Sequence, residues 1–221
     1  MIKKLYYWLH SLTSRADERF EHSGGHWQSL VRQQALLYCK GLKEGTILEV
    51  GCGEGLFLSQ LASSNPGARL YGVDINPGRI ERAKERFREK GLEGISLQVQ
   101  QGETIGFPDD YFDSVVCINV FYIVESIETV RRLLQAMSRV CKKQGYLIFD
   151  FRNSLNQLLR LKYKLAPYYD GTVKGQFLNT YYPAQIKGVL KELGFKVVDE
   201  KTIGFPFKSW APIIVMKVGK R

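Results

Sequence analysis

Residues Ile47-Leu48-Glu49-Val50-Gly51-Cys52-Gly53-Glu54-Gly55 decide how the rest of the chain is read. An apolar run containing one acid meets three glycines spaced two apart, and an apolar helical pattern begins at Leu56. Glycine lets the backbone turn tightly and approach a ligand closely, and the helix that follows presents free N–H groups at its start. The stretch therefore reads as a strand, a ligand-facing turn and a helix. A dinucleotide site would place the third glycine of G-x-G-x-x-G at position 56, where this chain has Leu56. Glu54 also falls where a pyrophosphate would rest on the helix terminus, and a carboxylate there repels it. The turn suits a ligand without phosphates.

Working outward, short strand-like runs alternate with helical ones. Strands are expected at 46–50, 69–75, 95–100, 112–119 and 145–151. Between them, helices are expected to about Ser63, over 79–90 after Pro77 and ending at Gly91, and over 126–141. This alternation implies an α/β doubly wound sheet. Residues 152–182, rich in Lys, Arg and Tyr and interrupted by Pro167 and Gly171, read as an insertion with one helix. A helix over 183–193 ends at Gly194, and strands follow at 195–203 and 211–219 with no helix between them, so they should pair antiparallel. The segment before the sheet looks helical, with Ile2, Leu5, Leu9 and Leu12 on one face. The expected architecture is one Rossmann-like domain with a seven-stranded sheet, mostly parallel with the last strand antiparallel. Residues 1–45 form an N-terminal helical cover, 46–151 the binding core, 152–182 the insertion or lid, and 183–221 the closing helix and strands.

Composition excludes several classes. With 221 residues, 44% hydrophobic and 24% charged, the chain is an ordinary globular protein, neither disordered nor a disulfide-stapled scaffold. No apolar run approaches the ~20 residues of a membrane span. His10 and Arg15 interrupt the opening MIKKLYYWLH, so it reads as mature, cytoplasmic protein. Cys39, Cys52, Cys117 and Cys141 contain no C-x-x-C pair, so reduced, buried thiols and no metal site are expected. The net charge of +10 divides into +3 for residues 1–45, −2 for 46–150 and +9 for 151–221. In that last third Arg160, Lys162, Lys164 and Lys174 interleave with Tyr163, Tyr168, Tyr169, Phe177, Tyr181 and Tyr182. Such a segment could hold RNA through phosphates and stacking, or form an aromatic lid with solvated lysines. The lid is preferred, because no RNA-binding module stands elsewhere.

ILEVGCGEG, then YGVDINP with an acid at the tip of the second strand, then QGETIGFPDDYFDSVV resemble successive motifs of the class I S-adenosylmethionine-dependent methyltransferases, in the right order. The chain is most similar to the small-molecule members related to ubiquinone and menaquinone methyltransferases, over about 45–151 and more loosely over 183–219. The resemblance implies S-adenosylmethionine as cofactor, a ligand without phosphate whose ammonium and sulfonium outweigh its carboxylate. It implies that Glu49 faces the methionyl amino group while the backbone of Gly51, Cys52 and Gly53 passes against the cofactor. Asp74 would accept from both ribose hydroxyls, Ile75 would pack on the adenine, and Gly102 and Glu103 would read the adenine edge through their backbone. Asn119 would close the methionine end. Two positions depart from the pattern: Gln101 stands where an aspartate commonly accepts from the adenine amine, and Lys142-Lys143-Gln144-Gly145 replaces K-P-G-G.

Plainer readings exist for the two acids. Glu49 could be a strand-end carboxylate satisfied by backbone donors, and Asp74 a helix cap ahead of Asn76 and Pro77. Both acids bracketing one glycine turn favour the cofactor. Methyl transfer from a sulfonium is a direct displacement that needs alignment more than a base, so no catalytic residue is assigned. His26, Trp27 and Tyr122 are candidates for the acceptor pocket. Asn119-Val120-Phe121-Tyr122 lacks the prolines of the N-P-P-Y found in enzymes that methylate base amines. Base amines are therefore not expected acceptors, and the resemblance to the small-molecule members implies a small acceptor, aromatic or lipid-like. An RNA acceptor is the alternative, as is a non-catalytic cofactor-binding protein. Peripheral membrane contact is a second role open to the N-terminal segment, through Leu5, Trp8, Leu9 and the two lysines.

Overall fold

The computed structural model describes residues 26–42, 44–169, 177–204 and 208–220, with Lys4 and Trp8. Helix α1 (His26–Cys39) precedes β1 (Thr46–Val50), α2 (Leu56–Ser64), β2 (Arg69–Asp74), α3 (Pro77–Glu89) and β3 (Ser96–Val99). Then come β4 (Phe112–Cys117), α4 (Ile127–Val140), β5 (Cys141–Arg152), α5 (Gln157–Tyr169), α6 (Pro183–Glu192), β6 (Phe195–Ile203) and β7 (Ile213–Lys220). The sheet order is β3-β2-β1-β4-β5-β7-β6. Only β7 runs against its neighbours, pairing antiparallel with both β5 and β6.

Strand alternation divides the core into two layers. Leu48, Val115, Leu147, Phe149 and Met216 point to one face, where α4 and α6 supply Leu134, Met137 and Ile186. Ile47, Val116, Ile148 and Val215 point to the other, where α1, α2 and α3 supply Val31, Ala35, Leu58 and Ile80. Burying these side chains on both faces is what a mostly parallel sheet requires, and it explains the near-continuous apolar runs. The helices start where local chemistry says they should. Asn76 accepts from the Arg79 N–H at 3.2 Å ahead of Pro77, and Ser126 accepts from the Thr129 N–H at 3.2 Å, caps worth about 1 kcal/mol each.

Beyond shifts of one or two residues at other element ends, three boundaries differ from the sequence reading. Strand β4 stops at Cys117 rather than 119, because Asn119 turns left-handed with φ 56°. Strand β5 starts at Cys141, with no break after α4, and its register against β4 shifts between Phe112↔Cys141 and Ser114↔Tyr146. Lys142 to Gly145 is therefore an irregular stretch inside the strand, not a turn ahead of it. Gly145 is required there, since a Cβ would lie 2.8 Å from the Asp113 carbonyl oxygen. Third, α5 continues through Pro167 to Tyr169. It begins at a cap in which Asn156 accepts from the Leu159 N–H at 2.7 Å. The helix expected from Ile2, Leu5, Leu9 and Leu12 lies outside the described residues, as do Gly171 and Lys174.

Candidate functional site

The sheet order reverses between β1 and β4, and the crevice beyond their carboxyl ends is where an open α/β sheet binds its ligand. The glycine turn leaves β1 into that crevice. Gly51 and Cys52 donate to the Val73 carbonyl at 2.8 and 3.0 Å, tying the turn to β2. Gly51 has φ 77°, and a Cβ on it would lie 2.4 Å from Val120, so the turn packs directly on the residue that follows β4's end. Gly53 has φ 52° and open space where a Cβ would be, leaving its backbone free for a ligand to approach.

Glu49 and Asp74 stand on either side of this turn. Glu49 is 3% exposed, and its Oε2 has no hydrogen-bond partner among the described residues. Burial pushes its carboxyl well above the ordinary range, Arg32 on α1 pulls it back, and Asp74 raises it further. A buried carboxylate oxygen without a donor is costly, so the reading of Glu49 as satisfied by backbone donors does not describe that atom. Asp74 does part of the plainer work. Its Oδ2 accepts from the Gly53 N–H at 2.8 Å and its Oδ1 from the Asn76 N–H at 2.9 Å, while the cap itself is Asn76. Each carboxylate oxygen retains a second lone pair. Glu54 does not point at the helix start as the repulsion argument supposed. It is bound by Arg82 at 2.8 Å and lies 3.9 Å from Arg86, so its charge is taken up by α3. The acids that flank the turn itself are Glu49 and Asp74.

The remaining cofactor candidates line the same rim. Ile75 is 64% exposed at the tip of β2, an apolar side chain with nothing over it among the described residues. Gly102 opens a short 3-10 turn, Gly102–Thr104, and admits no side chain, since a Cβ would meet Leu133 at 2.7 Å and Val50 at 3.0 Å. Glu103 is held by Arg132 at 2.5 Å on the exposed side, and Gln101 is exposed. Asn119 is a joint: its N–H donates to Asp150 Oδ1 at 2.5 Å and its side chain reaches the Gln28 carbonyl of α1 at 3.5 Å.

Sequence reading missed the charged pair behind that joint. Asp150 and Arg152, 1% and 2% exposed, share one face of β5's end, and Arg152 Nη1 donates to Asp150 Oδ2 at 2.5 Å. The guanidinium lies 4.6 Å from the centre of the Tyr122 ring. Burial alone would lower the Arg152 pKa, but Tyr163, Asp150 and Tyr122 together hold it raised. Burial raises Asp150 despite Arg152 and the Asn119 N–H. The i, i+2 spacing of Asp150 and Arg152 at a strand's carboxyl end was the available signal. Tyr163 of α5 bonds Arg152, and Lys162 of the same helix stands 5.7 Å from the centre of the Trp27 ring. The insertion thus touches both α1 and β5 beside the crevice. His26 opens α1. No group of metal-ligating side chains occurs among the described residues, and the four cysteines are buried and free.

Strand order, turn and rim define a class I methyltransferase fold. Residues 48–149 match the family described as Methyltransferase domain. Aklanonic acid methyltransferase DauC of Streptomyces sp. (strain C5) is 37% identical over 89 residues, 39% of this chain and 40% of that protein. The ubiquinone/menaquinone biosynthesis C-methyltransferase UbiE of Yersinia pestis (strain Pestoides F) is 26% identical over 185 residues, 72% of this chain and 70% of that one. The solved structure of magnesium protoporphyrin IX methyltransferase (ChlM) from Synechocystis PCC 6803 with bound SAH superposes with a TM-score of 0.71 at 15% identity, covering 99% of this chain and 94% of that one. The chain spans 34% to 49% of the length of the four curated relatives that it matches at 32% to 37% identity. Residues 48–149 thus carry a methyltransferase domain, the chain has the class I methyltransferase fold, and it is similar to small-molecule enzymes and to the ubiquinone and menaquinone C-methyltransferases.

Proposed function

We propose that this protein binds S-adenosylmethionine in the crevice at β1 and β4 and transfers its methyl group to a small aromatic or lipid-like acceptor. The buried Glu49 oxygen without a donor carries the reading: it sits beside a glycine turn, in the same cradle as Asp74, and a ligand ammonium would satisfy it. The cofactor, when bound, supplies a methyl on a sulfonium that a nucleophile displaces directly.

The chain's own residues would divide the remaining work. Glu49 accepts from the ammonium, its carboxyl shifting to the charged form as a cation arrives. Asp74 keeps Gly53 and Asn76 in place and offers its free lone pairs to two hydroxyls. Ile75 covers an adenine face, and Gly102 and Glu103 present backbone to its edge. The joint of Asn119, Asp150 and Arg152 fixes the floor under Tyr122, leaving the acceptor side lined by rings. Helices α1 and α5, meeting at Trp27 and Lys162, serve as a cover that excludes water and holds the acceptor in line. No base is assigned, since displacement at a sulfonium needs alignment first.

Calorimetric titration with S-adenosylhomocysteine tests the binding half, and transfer of labelled methyl into extracted metabolite and RNA pools tests the rest. Label in small molecules supports the proposal. Label in RNA alone would replace the acceptor class, and binding without any transfer would leave a cofactor-binding protein.

A further inference from the structure

Helix α5 has apolar side chains on two faces. Leu159 and Ala166 are buried. Leu158 and Leu161, three residues apart, are 45% and 38% exposed, and Tyr168 continues the same row two turns on, also exposed. Leu155 precedes the row and is exposed as well. Beside the helix start stands Trp210, 52% exposed. Its position is set by Asn156, which donates to the Trp210 carbonyl at 2.8 Å, and by Asn153, which donates to the Ser209 and Ala211 carbonyls at 2.8 Å each. A helix that only covered a pocket would turn polar residues outward, so a periodic row of exposed leucines beside a fixed tryptophan needs another explanation.

Charge supplies one. From 151 to 169 the chain has no acidic residue and four basic ones, Arg152, Arg160, Lys162 and Lys164. Arg152 is buried in the site, whereas Arg160 and Lys164, one turn apart, are exposed and run along one side of the leucine row. Lys208 is exposed next to Trp210. Leucines bordered on one side by cations, with a tryptophan and Lys208 at the margin, match the boundary between acyl chains and anionic headgroups. RNA would be met better by rings than by aliphatic side chains, which offer nothing for a base to stack on.

We infer that the outward face of α5, together with Trp210, docks on an anionic lipid bilayer. This is a different surface from residues 1–14, and the docking does not depend on the methyl-transfer reading. It has a functional consequence if that reading holds. Tyr163 of the same helix bonds Arg152 at the crevice, so docking would bring the mouth of the site to the lipid surface.

The test is co-sedimentation of the full chain, without cofactor, with vesicles of phosphatidylcholine and phosphatidylglycerol at a ratio of about 2 to 1, against phosphatidylcholine alone. The expected result is binding to the mixed vesicles, weakened roughly tenfold or more by Leu158→Glu/Leu161→Glu. Circular dichroism and thermal melting of the variant should be unchanged, because both positions are exposed. Arg160→Glu/Lys164→Glu should remove the preference for anionic vesicles while leaving the leucines intact. Mixed-vesicle binding by the leucine variant equal to that of the unaltered protein overturns the inference. So does loss of binding in Leu5→Glu/Leu9→Glu but not in the α5 variants, which would move the contact to the N-terminal segment. Absence of vesicle binding alongside tight binding to a labelled single-stranded RNA also overturns it, in favour of a nucleic-acid surface.

Discussion

Replacing Glu49 by Gln keeps the shape of the side chain and removes its charge. In the protein without ligand, Glu49 is buried, one oxygen lacks a donor, and burial raises its carboxyl well above the ordinary range. Unfolded, the same carboxyl releases its proton near pH 4.3 or so. Across the window above that value the folded chain holds a proton that the unfolded chain has lost, so this group makes stability fall as pH rises until its folded pKa is passed. A cationic ligand reverses the preference and draws the proton off. Binding of S-adenosylhomocysteine should then release up to about one proton in that window and strengthen as pH rises. Loss of the charge-assisted hydrogen bond should cost about 1.5 to 3 kcal/mol, a roughly 10- to 150-fold weaker dissociation constant. The assay is calorimetry of Glu49→Gln in buffers of different ionisation enthalpy, with 5′-methylthioadenosine as control because it lacks the amino acid portion. That control should bind both proteins alike. Equal affinity of the two proteins for S-adenosylhomocysteine, or equal proton release, would refute the assignment of Glu49 to the ammonium.

Asp74→Ala should weaken S-adenosylhomocysteine binding by about 1 to 3 kcal/mol, seen in the same titration, since it strips acceptors from the Gly53 and Asn76 N–H groups as well as from the ligand; an unchanged constant removes Asp74 from the site. NAD and ATP should bind at least about tenfold worse than S-adenosylhomocysteine, because neither brings an ammonium to Glu49 and the ion-paired Glu54 is not needed for the discrimination; equal affinities would restore a dinucleotide reading. Arg152→Met should destabilise the fold by about 3 to 5 kcal/mol in urea unfolding, because it leaves the Asp150 carboxylate buried without its cation; a loss below about 1 kcal/mol would show that the pair is not what holds this corner. In hydrogen exchange with S-adenosylhomocysteine and an acceptor, α1 and α5 should gain protection together with the glycine turn; protection of the turn alone would mean that these helices are not a cover.

Local chemistry made the binding turn readable from sequence. A glycine turn needs glycines, so Gly51, Gly53 and Gly55 announce a β1–α2 junction, and an acid closing a strand ahead of Asn76 and Pro77 announces the tip of β2. A strand buried on both faces must be apolar nearly throughout, which made 46–50 legible to the residue, while 69–75 was one residue too long and the edge strand 195–203 was delimited by Gly194 before it and Gly204 after it. The antiparallel pairing of β6 and β7 followed from a connection too short to hold a helix.

Partners distant in sequence were decided only by the tertiary structure. Whether Glu54 repels a ligand depends on where α3 puts Arg82, twenty-eight residues away. Arg32 reaches Glu49 only because α1 packs over the sheet face that carries Ile47. Asp150 and Arg152 read as the end of a strand and the start of an insertion until Asn119, Tyr122 and Tyr163 close around them. Lys142 to Gly145 looked like a turn because its residues favour one, yet Cys141 and Tyr146 on either side of it both pair with β4, which leaves it inside β5 as an irregularity. Periodicity and turn propensity act over a few neighbouring residues and survive in the sequence. Charge compensation and the lining of a pocket depend on which distant elements meet, and no local pattern encodes that meeting.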